Sequence, residues 1–524
     1  MITPRQYQKE AHDAIFKDWE TYRATLLEMA TGTGKTIVFS MVAQTLAAQK
    51  KRCLILAHRD ELIRQAVDKL SRSTGLDSAI EKAEERGAGS MFPIVTASVQ
   101  TLCRIKRLES FHPDEFAAVI VDEAHHALAQ TYQSIFNYFT GAKILGVTAT
   151  PDRGDKKNLG QIFDNICFKY GLRQAVLEGN LCKITAQTVP LKINLGAMKQ
   201  LAGDYSETAV GSALEPYLCG IAEELSKRAA GRKTLVFLPL RVTSRRFCEL
   251  LRGYGMDARH VDGESEDRDD VKAWLATPGP KICCNAMLYT EGFDEPSIDC
   301  VVPLRVTKSR SLYAQMIGRG TRLFPGKADL LLLDFLWQTE KHDLCRPCHL
   351  VAERAETMQI MEAIQEKKAA AGIEQIDLFD LEELANTEEA EKRHKALAEA
   401  LKAQEKKKSK LVDPLLLGVI INDSDLSDYE PTMKWERAAM TDGQRACLPR
   451  FGINPDLVKC KGHATMLIGK MIERRKMNLA SLGKIAILAK YGFEDVGGMT
   501  DKAANIAIDR IKENRWNGPE RWFD

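Results

Sequence analysis

Long apolar runs are missing from this 524-residue chain: none reaches the roughly 18 residues that a membrane-spanning helix needs. The first ten residues, MITPRQYQKE, are polar and contain no apolar stretch of the kind a secretory leader requires. A net charge of one sign is also missing. Lys and Arg number 74 against 72 Asp and Glu, so bulk charge singles out no partner. The even, regularly spaced cysteines of a disulfide framework are absent as well. The thirteen cysteines are odd in number and scattered, mostly within apolar runs such as RCLILA and KICCNAM. Cys53, Cys283 and Cys284 there read as small buried hydrophobes, which excludes a disulfide framework and fits a reducing compartment. These absences predict a soluble, cytoplasmic protein with no membrane partner.

The chain is too long for one hydrophobic core, and about 150 residues per domain suggests roughly three. Its near-zero charge is unevenly spread. Residues 351–430 carry 11 Lys and Arg against 19 Asp and Glu, whereas residues 431–524 carry 17 against 11. A basic end on a near-neutral chain invites a polyanion.

Up to about residue 345, short apolar runs alternate with amphipathic stretches: RCLILA, PIVTAS, AAVIVD and KILGVTAT, then KTLVFLP, ARHVDG, KICCNA, DCVVPL and DLLLLDF. Continuous apolar runs of this length predict parallel strands covered on both faces, and hence α/β architecture in two doubly wound lobes. We place the first lobe at 1–190 and the second at 191–350. A charged helical linker is expected over 351–430 and a small all-α domain over 431–524.

The stretch LEMATGTGKTIVFS carries an apolar strand into a glycine-rich loop, and Lys35 and Thr36 then open a helix. Thr31, Gly32, Thr33 and Gly34 would let backbone N–H groups wrap phosphates. Lys35 would reach the outer phosphates, and Thr36 would ligate magnesium. The general phosphate-loop pattern is missed only at its first position, Met29. In AAVIVDEAHHAL a buried strand delivers Asp122 and Glu123 at its C-terminal end, where ligands of parallel sheets bind. Asp122 can hold magnesium, and Glu123 can orient and deprotonate an attacking water.

MATGTGKT, VDEAHH, GVTATP and QMIGRGTRL, in that order, resemble the motif series of superfamily-two helicases over residues 1–345. The chain is similar to the branch containing type III restriction motor subunits, repair helicases and phage or prophage helicases. The resemblance implies RecA-like lobes, ATP and magnesium as cofactors, and nucleic acid as partner, with DNA favoured over RNA and 3′-to-5′ movement along one strand. TPRQYQ resembles the adenine-reading element, with Arg5 and Gln8 as its contacts. LILAHRDELIRQ and TASVQTL resemble strand-binding motifs, which would place Arg59, Thr96, Ser98 and Gln100 at the nucleic-acid backbone. Thr148 and Thr150 of GVTATP would couple the acid pair to that path, joined by His125. In the second lobe the resemblance implies Gly292 and Asp294 at the nucleotide, Thr290 toward the nucleic acid, and Gln315, Arg319 and Arg322 as catalytic residues. The two arginines are expected on one helix face, reaching the γ-phosphate across the cleft. Two other readings stay open: a duplex-translocating motor of a restriction or defence assembly, and an ATP-gated nucleic-acid sensing module.

His342, Cys345, Cys348 and His349 suggest zinc, but one Cys-x-x-Cys without a second pair is a weak signal and no metal centre is expected there. Glu366 opens an isolated EKK, too little for a nuclease. The last hundred residues repeat themselves at an offset of forty: TDGQRACLPRFGIN at 441 matches SLGKIAILAKYGFE at 481. Each copy reads as a helix ended by an aromatic-Gly pair, with Gly452 and Gly492 as left-handed caps, followed by a second helix. Arg474, Arg475, Lys476, Lys484, Lys490, Arg510, Lys512 and Arg515, with Trp435, Trp516 and Trp522, make this segment a candidate nucleic-acid module.

Overall fold

The computed structural model describes residues 3–57, 60–149, 159–189, 200–201, 204–286, 295–335, 345–352, 355–373, 375–389, 429–491, 493 and 496–513. It forms two compact units, Met1–Glu383 and Leu384–Asp524.

The first unit holds two seven-stranded sheets. In chain order the strands of the first are β1 (Ala24–Met29), β2 (Cys53–Ala57), β3 (Ser78–Glu81), β4 (Ile94–Ser98), β5 (Ala118–Asp122), β6 (Lys143–Thr148) and β7 (Asn165–Tyr170). Their spatial order is β3-β4-β2-β5-β6-β1-β7, and every pair is parallel. Alternate residues enter different cores. Leu26, Leu54, Val95 and Val119 pack on one face, while Leu27, Ile55, Ile94 and Ile120 pack on the other. Burial on both faces is why these strands read as unbroken apolar runs.

After β8 (Lys183–Thr188) and a small ribbon of β9 (Gln200–Leu201) and β10 (Asp204–Tyr205) come β11 (Lys233–Leu238), β12 (Ala258–Val261), β13 (Lys281–Ala286), β14 (Cys300–Pro303), β15 (Asp329–Asp334) and β16 (Gln375–Asp377). The second sheet runs β12-β13-β11-β14-β15-β8-β16 and is parallel except for the last pair. Two expected boundaries therefore move. Strand β8 lies before residue 190 yet pairs with β15, so the chain leaves the first sheet between β7 and β8. Strand β16, assigned from sequence to the linker, closes the edge of the second sheet. Polar side chains tie the later segment to β8: Gln375 Nε2 donates to Gln187 Oε1 at 3.1 Å, and Gln365 Nε2 donates to Thr188 Oγ1 at 2.9 Å. Residues 390–428 of the expected linker lie outside the described residues.

The second unit is helical over its described residues, and the forty-residue repeat is visible in its core. Leu448 and Leu488 are both wholly buried, as is the pair Ala464 and its counterpart Ala504. Gly452 has φ 81°, the left-handed cap expected of it, while Gly492 lies outside the described residues. Contacts also repeat. Gln444 Nε2 donates to Lys461 O at 3.3 Å in the first copy, and Lys484 Nζ pairs with Asp501, forty residues on, at 2.7 Å. Arg474 departs from expectation. It is 7% exposed and donates to Gly497 O at 2.8 Å and Ala480 O at 3.2 Å, so it braces the core rather than meeting a polyanion.

Candidate nucleotide site

The site is assembled where three neighbouring strands of the first sheet end. Leu27 of β1 and Asp122 of β5 both stand in register with Val147 of the intervening β6. The phosphate loop after β1 and the acid pair at the end of β5 therefore open on the same sheet edge. Helix α1 (Gln6–Thr21) precedes β1, and α2 (Lys35–Ala48) follows the loop. Gly32 and Gly34 have φ 90° and 84°, conformations that a side chain would strain, and no side chain caps α2. The uncapped first turn, begun by Lys35 and Thr36, is an anion site by geometry and by dipole.

Among the described residues, two buried oxygens here find no hydrogen-bond partner: the Thr31 hydroxyl and Glu123 Oε2. His125 Nδ1 lies 3.5 Å from Glu123 Oε2. Glu123 itself has φ 53°, a left-handed backbone that costs a non-glycine residue roughly 1–2 kcal/mol. Its amide donates to Asp122 Oδ1 at 3.0 Å, which fixes the Asp122 carboxylate against the backbone of Glu123. Strain and unsatisfied polar atoms in one place are what a site prepared for a ligand shows.

The segment expected to read adenine is locked onto the loop. Tyr7 OH donates to Thr33 O at 2.8 Å, and Gln8 Nε2 donates to the same carbonyl at 3.0 Å. Tyr7 stacks on Tyr170 with ring centroids 4.1 Å apart. Arg5 Nη1 donates to Asn180 Oδ1 at 3.0 Å, Asn180 Nδ2 donates to Tyr170 OH at 2.7 Å, and Tyr170 OH donates to Glu178 Oε2 at 2.6 Å. Tyr7, Tyr170, Glu178 and Asn180 went unnoticed in the sequence, because no spacing marks a tyrosine on the edge strand β7 as the partner of one on α1.

The second lobe meets the loop directly. A Cβ on Gly32 would lie 3.1 Å from Thr321 Oγ1 and 3.7 Å from Arg322 Cγ, and one on Gly318 would lie 2.5 Å from Thr31 Cβ. Arg319 and Arg322 were expected on a helix face. The helix runs Arg310–Ile317 and stops before them. They stand on the turn that follows, held by Gly320 N to Ile317 O at 3.0 Å and Thr321 Oγ1 to Gly318 O at 3.1 Å. Glycine is needed at 320, because a side chain there would strike Leu330 at 2.4 Å. Burial pulls the Arg322 guanidinium down to about 10, still fully charged at neutral pH. Gln315 and Arg319 are also buried.

The matching regions agree with this layout. Residues 1–153 match the model described as Type III restriction enzyme, res subunit, and residues 217–323 match the helicase conserved C-terminal domain. Both matched regions thus resemble those of superfamily-two helicases. The chain is 29% identical over 393 residues to a protein named as an ATP-dependent helicase, IRC3, of Saccharomyces cerevisiae, covering 70% of this chain and 56% of that one. It is 31% identical over 345 residues to the irc3 protein of Schizosaccharomyces pombe, named as a mitochondrial ATP-dependent helicase, covering 63% and 57%. The chain thus spans little more than half the length of these relatives. Its fold is similar to that of the Type ISP restriction-modification enzyme LlaBIII, solved bound to DNA, with TM-score 0.52 and 16% identity over 98% of this chain and 42% of that one.

The residues expected to touch nucleic acid fare unevenly in the structure. Thr96 is wholly buried, its hydroxyl sharing a 2.8 Å hydrogen bond with Ser78, so it holds β3 to β4 and reaches no surface. Ser98 Oγ donates to Gln100 Oε1 at 2.9 Å, and Gln100 is exposed. Thr148 is buried at the end of β6, opposite Glu28. Arg59, Thr150, Thr290, Gly292, Asp294 and His342 lie outside the described residues. Burial lowers His349 to about 4 and raises the Cys348 thiol. No described helix is long and apolar enough to cross a membrane.

Proposed function

We propose that the protein hydrolyses ATP to move along nucleic acid, DNA in preference to RNA, and separates its strands. The packing of the arginine-bearing turn of one lobe on the phosphate loop of the other carries this reading. A nucleotide at the loop would sit where both lobes can hold it, so binding would close them and hydrolysis would release them. Lys35 and the first turn of α2 would take the phosphates. Glu123, its carboxylate poised by the strained backbone, would orient the water and accept its proton. Arg319 and Arg322 would neutralise charge developing on the outer phosphate. The oxygen-rich set of Thr36 and Asp122, beside unsatisfied buried oxygens, suits magnesium. Bound there, the ion would offset phosphate charge. Arg5 and Gln8 would select adenine.

We assign the helical second unit a role in choosing the nucleic-acid structure engaged. Exposed Arg475, Lys476, Lys490 and Arg510 support it, whereas Arg474 is buried and Lys484 and Lys512 are paired with Asp501 and Asp509. Arg515, Trp516 and Trp522 lie outside the described residues. The proposed compartment is the cytoplasm, on the unpaired cysteines.

The test is ATP turnover and strand separation with single-stranded, forked, duplex and junction DNA and matched RNA. Lys35→Ala and Glu123→Gln should each abolish turnover, and normal activity in either refutes the assignment. Turnover with movement along duplex but no unwinding would select the restriction-motor reading, which the match of residues 1–153 favours. Removing 431–524 should leave basal turnover and weaken DNA binding; unchanged affinity for forked and single-stranded DNA would reject the accessory role.

A further inference from the structure

Lys327 follows the turn that carries Arg319 and Arg322. Gly326, at φ 83°, reverses the chain, and Lys327 N bonds to Phe324 O at 3.0 Å. The side chain is thereby sent back beneath the arginine turn. There its ammonium meets main-chain carbonyls from two segments. On the arginine turn it donates to Gly320 O and, at 2.9 Å, to the carbonyl of Arg322 itself. On the segment just after residue 294 it donates to Ile298 O at 2.5 Å and Pro296 O at 3.4 Å.

That second segment is itself anchored. Ser297 Oγ takes a hydrogen bond from Lys233 Nζ at 2.7 Å. Gly320 O has a second donor in Cys182 Sγ at 3.5 Å, and Thr321 O accepts from Cys182 N at 2.8 Å. A half-buried ammonium satisfied by carbonyls acts as a fixed point charge with directed bonds. Here those bonds end on the backbone of the residue that faces the phosphate loop.

We propose that Lys327 is a positioning residue for hydrolysis: by gripping the carbonyls of Gly320 and Arg322 it fixes where the Arg322 guanidinium stands. This rests on the catalytic reading of Arg322. The lysine touches no substrate; it acts through the arginine.

Lys327→Met should lower kcat by about 10²-fold, the consequence of roughly 1 Å of displacement, with KM for ATP changed less than about threefold. Lys327→Arg, which keeps a half-buried cation with several donors, should recover part of the loss. The full chain is assayed for nucleic-acid-stimulated ATP turnover, with melting temperature recorded for each variant. The deciding measurement is the cycle with Arg322→Lys: Lys327→Met should add little once the guanidinium is gone. Normal kcat in Lys327→Met, or the same fold loss with and without the arginine, overturns the proposal. An Arg322→Lys protein of ordinary kcat would instead reject the catalytic reading of the arginine.

Discussion

Gly318→Ala offers a test of whether the two lobes must touch as described. The backbone at Gly318 is ordinary right-handed helix, with φ −59° and ψ −14°, so alanine meets no conformational penalty. Within a helix the change favours alanine by about 1 kcal/mol. The main obstacle is across the cleft: the new methyl would lie 2.5 Å from Thr31 Cβ and Cγ2, where ordinary contact begins near 3.4 Å, and 2.9 Å from Ala314 O on its own side. Relief demands a retreat of about 1 Å, and overpacking of this kind typically costs about 1–3 kcal/mol. Because Arg319 and Arg322 ride on the turn that must retreat, turnover should fall by about 10²-fold. The assay is steady-state ATP turnover with saturating nucleic acid, beside Gly253→Ala, whose added methyl meets nothing within 4 Å. If Gly318→Ala matches Gly253→Ala and the parent in kcat, the closed contact between phosphate loop and arginine turn does not exist during turnover.

Asn180→Ala should raise KM for ATP and narrow the preference for ATP over GTP with little change in kcat, since Asn180 holds Arg5 and Tyr170. An Arg5→Ala protein that discriminates normally would remove the premise. Arg474→Met should destabilise the second unit by about 1–3 kcal/mol, read by denaturant melting, because two buried carbonyls lose a charged donor; weakened DNA binding at unchanged stability would contradict this. His349 is held neutral, its pKa near 4 when folded. Between about pH 6.5 and 4 the unfolded chain takes a proton that the folded one refuses, so stability should fall with acidity by at most about 1.4 kcal/mol per pH unit. Above that window the residue should contribute nothing, and His349→Gln should flatten the curve; an unaltered slope speaks against a buried neutral imidazole.

Strands β2, β4, β5 and β6 were legible in the sequence because helices cover both of their faces, leaving no polar alternation to blur them. The phosphate loop and the acid pair were legible because their chemistry needs particular residues in an unbroken stretch. Edges were harder. Lys183–Thr188 reads as polar, and only the glutamines of residues 365 and 375, far along the chain, satisfy its buried Gln187 and Thr188. Thr96 was misjudged because a strand residue inside a recognised motif can still point into the core. Arg474 was misjudged because charge suggests solvent until a carbonyl pair is seen to receive it. Lys327 carries no local signal, since what gives it meaning is a set of backbone oxygens brought together by folding.

Strand β16 has a practical bearing on how the protein can be divided. It pairs antiparallel with β8 at the last position of the second sheet. A chain stopped at 350, just past the motor motifs, would strip that cover and present a bare row of backbone donors and acceptors, a template on which a second molecule could add. Such a fragment should precipitate or self-associate even with every catalytic residue in place. A chain ended at 383 keeps the seam closed and is the shorter form in which the motor should stay monodisperse.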